Sequence, residues 1–116
     1  MIINGNLDLR DSSIKSLGNI KEVKGFLYLG FCISLISLGD LEIVNGDLYL
    51  NNCTSLTSLS NLKEVNGRLS LWSCEKLKDL GKLKTVKEKI NIYNTSITEE
   101  YILKKKKQLY GKIFRL

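Results

Sequence analysis

A period of 21 residues constrains this chain more than any other feature. Aligned on their glycines, four segments read NGNLDLRDSSIKSLGNIKEV, KGFLYLGFCISLISLGDLEIV, NGDLYLNNCTSLTSLSNLKEV and NGRLSLWSCEKLKDLGKLKTV, and a shorter fifth follows as KEKINIYNTSIT. Each copy is too short to bury its own leucines, so neighbours must stack and share one apolar column. Within a copy, L-x-L is the alternation of a short strand with one buried face. The inward pairs are Leu7/Leu9, Leu27/Leu29, Leu48/Leu50, Leu69/Leu71 and Ile90/Ile92. Stacked, they form a parallel sheet with rungs about 4.8 Å apart.

The turns follow from the same columns. Gly5, Gly25, Gly46 and Gly67, each just before a strand, are expected to supply a positive φ. Gly18, Gly39 and Gly81, with Ser60 in the gap, mark a second corner. The segments between corners are too short for a helix. The expectation is a mainly β, right-handed solenoid with a parallel sheet, about 4.5 repeats over residues 1–97. A helical cap and basic tail complete it over residues 98–116. Thr98 suits the helix N-cap, Glu99 and Glu100 its first turn, and the lysines its negative end. Ile102, Leu103, Leu109 and Tyr110 are expected to cover the open end of the core. Gly111 should stop the helix and KIFRL pack back.

These residues resemble the leucine-rich repeat family, because V-x-G-x-L-x-L-x-x-C-x-x-L stands where that family has its strand segment. The short period is most similar to the L-domain β-solenoids of cell-surface receptors. The resemblance covers roughly residues 3–97 and implies a scaffold that binds other proteins through its strand face. The chain departs from the family in carrying no cysteine-rich N-terminal cap. Glu88 also replaces the turn glycine in the fifth copy, so the last rung should bend differently.

Chemistry finds little footing. The 116 residues are enough for one domain with its own core, and they include no His. A serine or cysteine nucleophile therefore lacks its usual base, and no phosphate-cradling glycine loop exists outside the repeat. Cys32, Cys53 and Cys74 occupy one repeat column, with Ser12 and Thr95 at its ends, which fits an inward ladder better than a metal site or a disulfide. No enzyme activity, metal or cofactor is expected. No apolar run approaches a membrane span and the first residues lack a signal-peptide layout, so the cytoplasm is the expected compartment.

The repeat also serves as an internal control. A column filled with polar residues in most copies must face water, so a copy that fills it with large apolar groups exposes them. Copy two does this five times. Phe26 stands against Asn6, Asp47, Arg68 and Lys89, and Phe31 against Asp11, Asn52, Ser73 and Asn94. Ile33 and Ile36 stand against Thr54 and Thr57, then Glu75 and Lys78, while Ile43 stands against Glu22, Glu64 and Thr85. Outward positions of the strands add Tyr28, Tyr49, Trp72 and Tyr93. Exposed aromatics are what protein-binding surfaces carry at their hot spots. Phe26, Tyr28, Phe31, Ile33, Ile36, Tyr49, Trp72 and Tyr93 are therefore the expected contact residues for another protein.

That reading makes the chain a small interaction module. Its size and want of chemistry also fit a stoichiometric inhibitor of a cellular protein, of the kind that viruses and mobile elements encode. Two alternatives remain. The apolar belt and the uncapped first rung fit a homodimer or other homo-oligomeric structural protein. The charge distribution fits a nucleic acid or another anionic surface, because residues 75–116 hold twelve basic and five acidic side chains against six and seven in residues 1–74. Its candidate residues are Lys82, Lys84, Lys87, Lys89, Lys104, Lys105, Lys106 and Lys107, with Tyr93 placed to stack a base.

Overall fold

A computed structural model describes residues 1–115. The chain winds into a mainly β solenoid of about five turns of about 21 residues, with a single C-terminal helix. The strands β1 (Ile2–Ile3), β3 (Glu22–Val23), β5 (Ile43–Val44) and β7 (Glu64–Val65) stack along one side. Along the next side stack β2 (Leu7–Asp8), β4 (Leu27–Tyr28), β6 (Leu48–Tyr49) and β8 (Leu69–Ser70). All pairs are parallel and keep the repeat register, so Leu27 faces Leu7 and Leu48, and Tyr28 faces Asp8 and Tyr49. A third side has no regular strands, but backbone bonds still tie its rungs, as from the Ile36 N–H to the Lys15 carbonyl (2.9 Å).

The last rung does differ, and Glu88 explains how. With Glu88 in place of the turn glycine, strand β9 (Thr85–Asn91) continues unbroken through the corner and joins both columns. It pairs with β7 through Thr85 and Val86, and with β8 through Ile90 and Asn91.

The inward leucines of the later rungs are fully buried, from Leu27 and Leu29 to Ile90 and Ile92. Leu7 and Leu9 are only half-buried, since the first rung is stacked on one side alone. Burial at both neighbours is what each rung lends the next.

The strand-side glycines need a correction. None of Gly5, Gly25, Gly46 and Gly67 has a positive φ. Stacking is the constraint instead: a Cβ on Gly46 would lie 2.9 Å from the Gly25 carbonyl carbon, and one on Gly67 2.8 Å from that of Gly46. Positive φ falls at the other corner, at Gly18, Gly39, Ser60 and Gly81. Ser60 holds this conformation while its hydroxyl accepts from the Leu38 N–H at 3.2 Å. A third column, just after the second strand of each copy, is also left-handed: Asp11, Phe31, Asn52, Ser73 and Asn94.

The C-terminal segment differs from expectation in its second half. Helix α1 (Glu99–Lys105) starts at Thr98, whose side chain accepts from the Tyr101 N–H. It ends well before Gly111. Strand β10 (Tyr110–Phe114) then returns to pair with β9 as a sixth rung, with Ile113 opposite Ile90. Gly111 therefore sits in a strand, where a Cβ would meet the Val86 carbonyl at 3.1 Å. Ile102 and Leu109 close the core, whereas Leu103 and Tyr110 face solvent and take no part in the lid.

The cysteines are free, buried and stacked. Each thiol donates to a carbonyl of the rung before it: Cys32 to Leu9 (3.0 Å), Cys53 to Leu29 (3.1 Å) and Cys74 to Leu50 (2.9 Å). Thr95 ends the column by donating to Ile92. The neighbouring Cys74 side chain and burial push the Cys53 thiol far above its ordinary value. Because the folded pKa lies above the unfolded one, this stabilisation is complete below about pH 8.5 and is lost as pH rises past it. Stability in denaturant should fall by up to about 1.4 kcal/mol per pH unit above that point. Cys53→Ala should flatten the fall.

Candidate functional site

The outward side of the second strand column is a grid. Its rows, one per rung, read Asn6–Asp8–Arg10, Phe26–Tyr28–Gly30, Asp47–Tyr49–Asn51, Arg68–Ser70–Trp72 and Lys89–Asn91–Tyr93, because alternate residues of a strand share a face. β10 continues it with Lys112 beside Lys89 and Phe114 beside Asn91. The grid divides into two halves.

In the first half the rings gather. Phe26 stacks on Tyr28 with centroids 4.1 Å apart and planes 17° apart, and Tyr28 meets Tyr49 at 5.1 Å. Arg10 lies over the Tyr28 ring, its Cζ 5.4 Å from the centroid. Asp8 fixes that guanidinium by accepting from Nε at 2.9 Å and Nη2 at 2.6 Å, and these bonds hold the Asp8 carboxyl below its usual range. Burial and the Asp47 carboxylate raise the Tyr49 phenol, which donates to Asp47 at 3.3 Å.

Gly30 was not among the expected contact residues, yet it shapes this half. Its column carries Arg10, Asn51, Trp72 and Tyr93 in the other copies. The missing side chain leaves a notch of about 320 Å³ walled by Arg10, Tyr28, Phe31 and Tyr49. A glycine in a column of large residues was the available signal.

Phe31 is the most unusual residue of the surface. It holds a φ of 60° in a column where Asp, Asn and Ser fill the equivalent place. Those short polar residues tolerate the left-handed region, but a bulky one is an outlier there. Phe31 is nonetheless 56% exposed, and Ile33 and Ile36 beyond it are 60% and 57% exposed. Strain and exposure fall on one side chain. Of the five apolar replacements in copy two, these three are open to solvent, while Phe26 and Ile43 are half-shielded.

Trp72 and Tyr93 form a second pair, 6.0 Å apart and 28° from parallel, in the next column and beginning one rung beyond Tyr49. They do not join the Phe26–Tyr28–Tyr49 stack.

The eight lysines of the basic third do not gather either. Lys82, Lys84 and Lys105 line one depression of about 590 Å³. Lys87 and Lys89 line another of about 620 Å³ against Tyr110, Lys112 and Phe114. Lys105 is buried and donates to the Gly81 carbonyl at 2.9 Å, so it caps a corner of the fold. Lys104 pairs with Glu100 at 3.8 Å, leaving Lys106 and Lys107 exposed beyond the helix.

Compared with protein families, curated proteins and solved structures, the chain matches none. Its architecture rests on its own columns. Among the described residues no three His, Cys, Asp or Glu side chains converge on a metal position, and no helix is long and apolar enough to cross a membrane.

Proposed function

We propose that this chain is a non-enzymatic protein-binding module of the leucine-rich-repeat type, working in the cytoplasm and covered by a partner at copy two. One observation carries the reading. Phe31 is held exposed in a backbone conformation that its sister copies reserve for Asp, Asn or Ser. Such strain persists where something other than stability keeps it. Burying Phe31, Ile33 and Ile36 under a partner would recover roughly 1.5–3 kcal/mol each. The adjoining notch at Gly30 offers a pocket for one anchoring side chain, the arrangement in which hot spots sit. A small stoichiometric inhibitor is the use that best fits a module with one such surface.

The substitutions that test this come from the protein itself. Phe31→Asn restores the residue of copies three and five, and is expected to raise stability by about 1 kcal/mol in denaturant unfolding. The triple variant Phe31→Asn, Ile33→Thr, Ile36→Thr should fold as well as the parent and capture no partner. Mass spectrometry of nuclease-treated native lysate, parent against variant, reads the outcome. Equal recovery of one protein by both would place the contact elsewhere. A parent that captures nothing but scatters light as a dimer, monomeric in the variant, would give the patch to a second copy.

A further inference from the structure

The second half of the strand face carries a different pattern from the first, and the copy-two reading makes no use of it. Arg68, Lys89 and Lys112 stack in one outward column over three consecutive rungs. Four residues on, just past the ends of β8 and β9, Trp72 and Tyr93 stack in another, and Phe114 lies between the columns beside Asn91. The three residues are 43%, 44% and 38% exposed. Arg68 meets Glu88 at 3.4 Å, but neither Lys89 nor Lys112 has an ion-pair partner among the described residues. Lys87 lines the same depression, so its walls carry four cations to one carboxylate. The sign reverses on the first three rungs, where Asp8, Asp11 and Asp47 flank the aromatic stack.

We infer that this half of the face is a binding site for single-stranded nucleic acid. A row of cations can follow a phosphate backbone, and a parallel row of flat, exposed rings can stack successive bases whatever their identity. The two rows run in the same direction at a fixed offset, as backbone and bases do in one strand. A duplex keeps its base faces covered and leaves the rings unused. An acidic peptide uses the cations but gains nothing from aligned ring faces. The site differs from the one expected from the lysine-rich run: Arg68, Lys112, Trp72 and Phe114 enter it, and Lys104–Lys107 do not.

Trp72 is the sole tryptophan, so its emission reports on the site directly. Labelled oligothymidylate should bind with quenching of Trp72, while a duplex of the same length binds more weakly. Tyr93→Ala should weaken binding about tenfold. Lys89→Gln and Lys112→Gln should each lower the slope of log affinity against log salt by about 0.7. Both lysines are exposed, and a thermal melt matching the parent's confirms that these variants fold. Lys104→Gln with Lys106→Gln should leave the slope unchanged, and so should the copy-two triple variant, which separates this site from the protein-binding one. Three results would overturn the inference: no binding, a slope that follows Lys104 and Lys106 instead, or inorganic polyphosphate or polyglutamate binding as tightly with Trp72 emission unmoved.

Discussion

Gly46→Ala is expected to cost about 3 kcal/mol of unfolding free energy, and Gly5→Ala to add about 0.5 kcal/mol. The two glycines occupy one repeat column, so chemistry and propensity are the same at both. Their surroundings differ. A methyl group at Gly46 falls 2.9 Å from the Gly25 carbonyl carbon and the Phe26 nitrogen, backbone atoms of the rung below that cannot turn aside. At Gly5 a methyl meets nothing within 4 Å. There the change only removes freedom from the unfolded chain. Urea unfolding of the two variants checks this. Equal losses at both sites would mean that φ, and not stacking distance, fixes the column.

Leu50→Ala is the second large effect, with an expected loss of about 3–5 kcal/mol. Leu50 is fully buried in the third rung, with Leu29 below and Leu71 above it in the same column. A cavity there is walled by rungs that are themselves pinned by ladder bonds, such as the one from the Leu50 N–H to the Ser70 carbonyl (2.9 Å), so collapse is limited. Leu9→Ala removes the same atoms from the half-buried first rung. It should cost about 1–2 kcal/mol, in proportion to the smaller area buried. The contrast follows from a fold in which each turn touches only its neighbours.

Leu27, Leu48 and Leu69 lie in register because the period sets which residues meet, and alternation sets which face they take. The cysteine ladder was legible for the same reason. Gly46 was not, since a required glycine states that a Cβ is unwelcome without stating whether φ or space excludes it. Lys112–Phe114 pack back as expected, but their form as a strand is not legible, because the run YGKIF carries no copy of the repeat and only the edge of β9 gives it a place to pair. Tyr110 escapes the lid because helical spacing ceases to apply where the helix stops at Lys105, whereas Leu103 lies inside the helix but off the face that Ile102 and Lys105 bury. The apolar excess of copy two was fully visible in the columns. The strain at Phe31 was less plain: Asp and Asn in its column are the sequence sign of a left-handed position, and the backbone shows that Phe31 adopts it too.

The central claim is that something covers copy two and leaves its sisters bare. A photo-crosslinking residue placed at Ile33, and in separate chains at Thr54 and Glu75, tests it within one scaffold, because the three share a column. In native cells the Ile33 position is expected to yield one defined adduct with another protein, and the other two positions none. Adducts of equal yield from all three positions, or from none of them, would contradict the account.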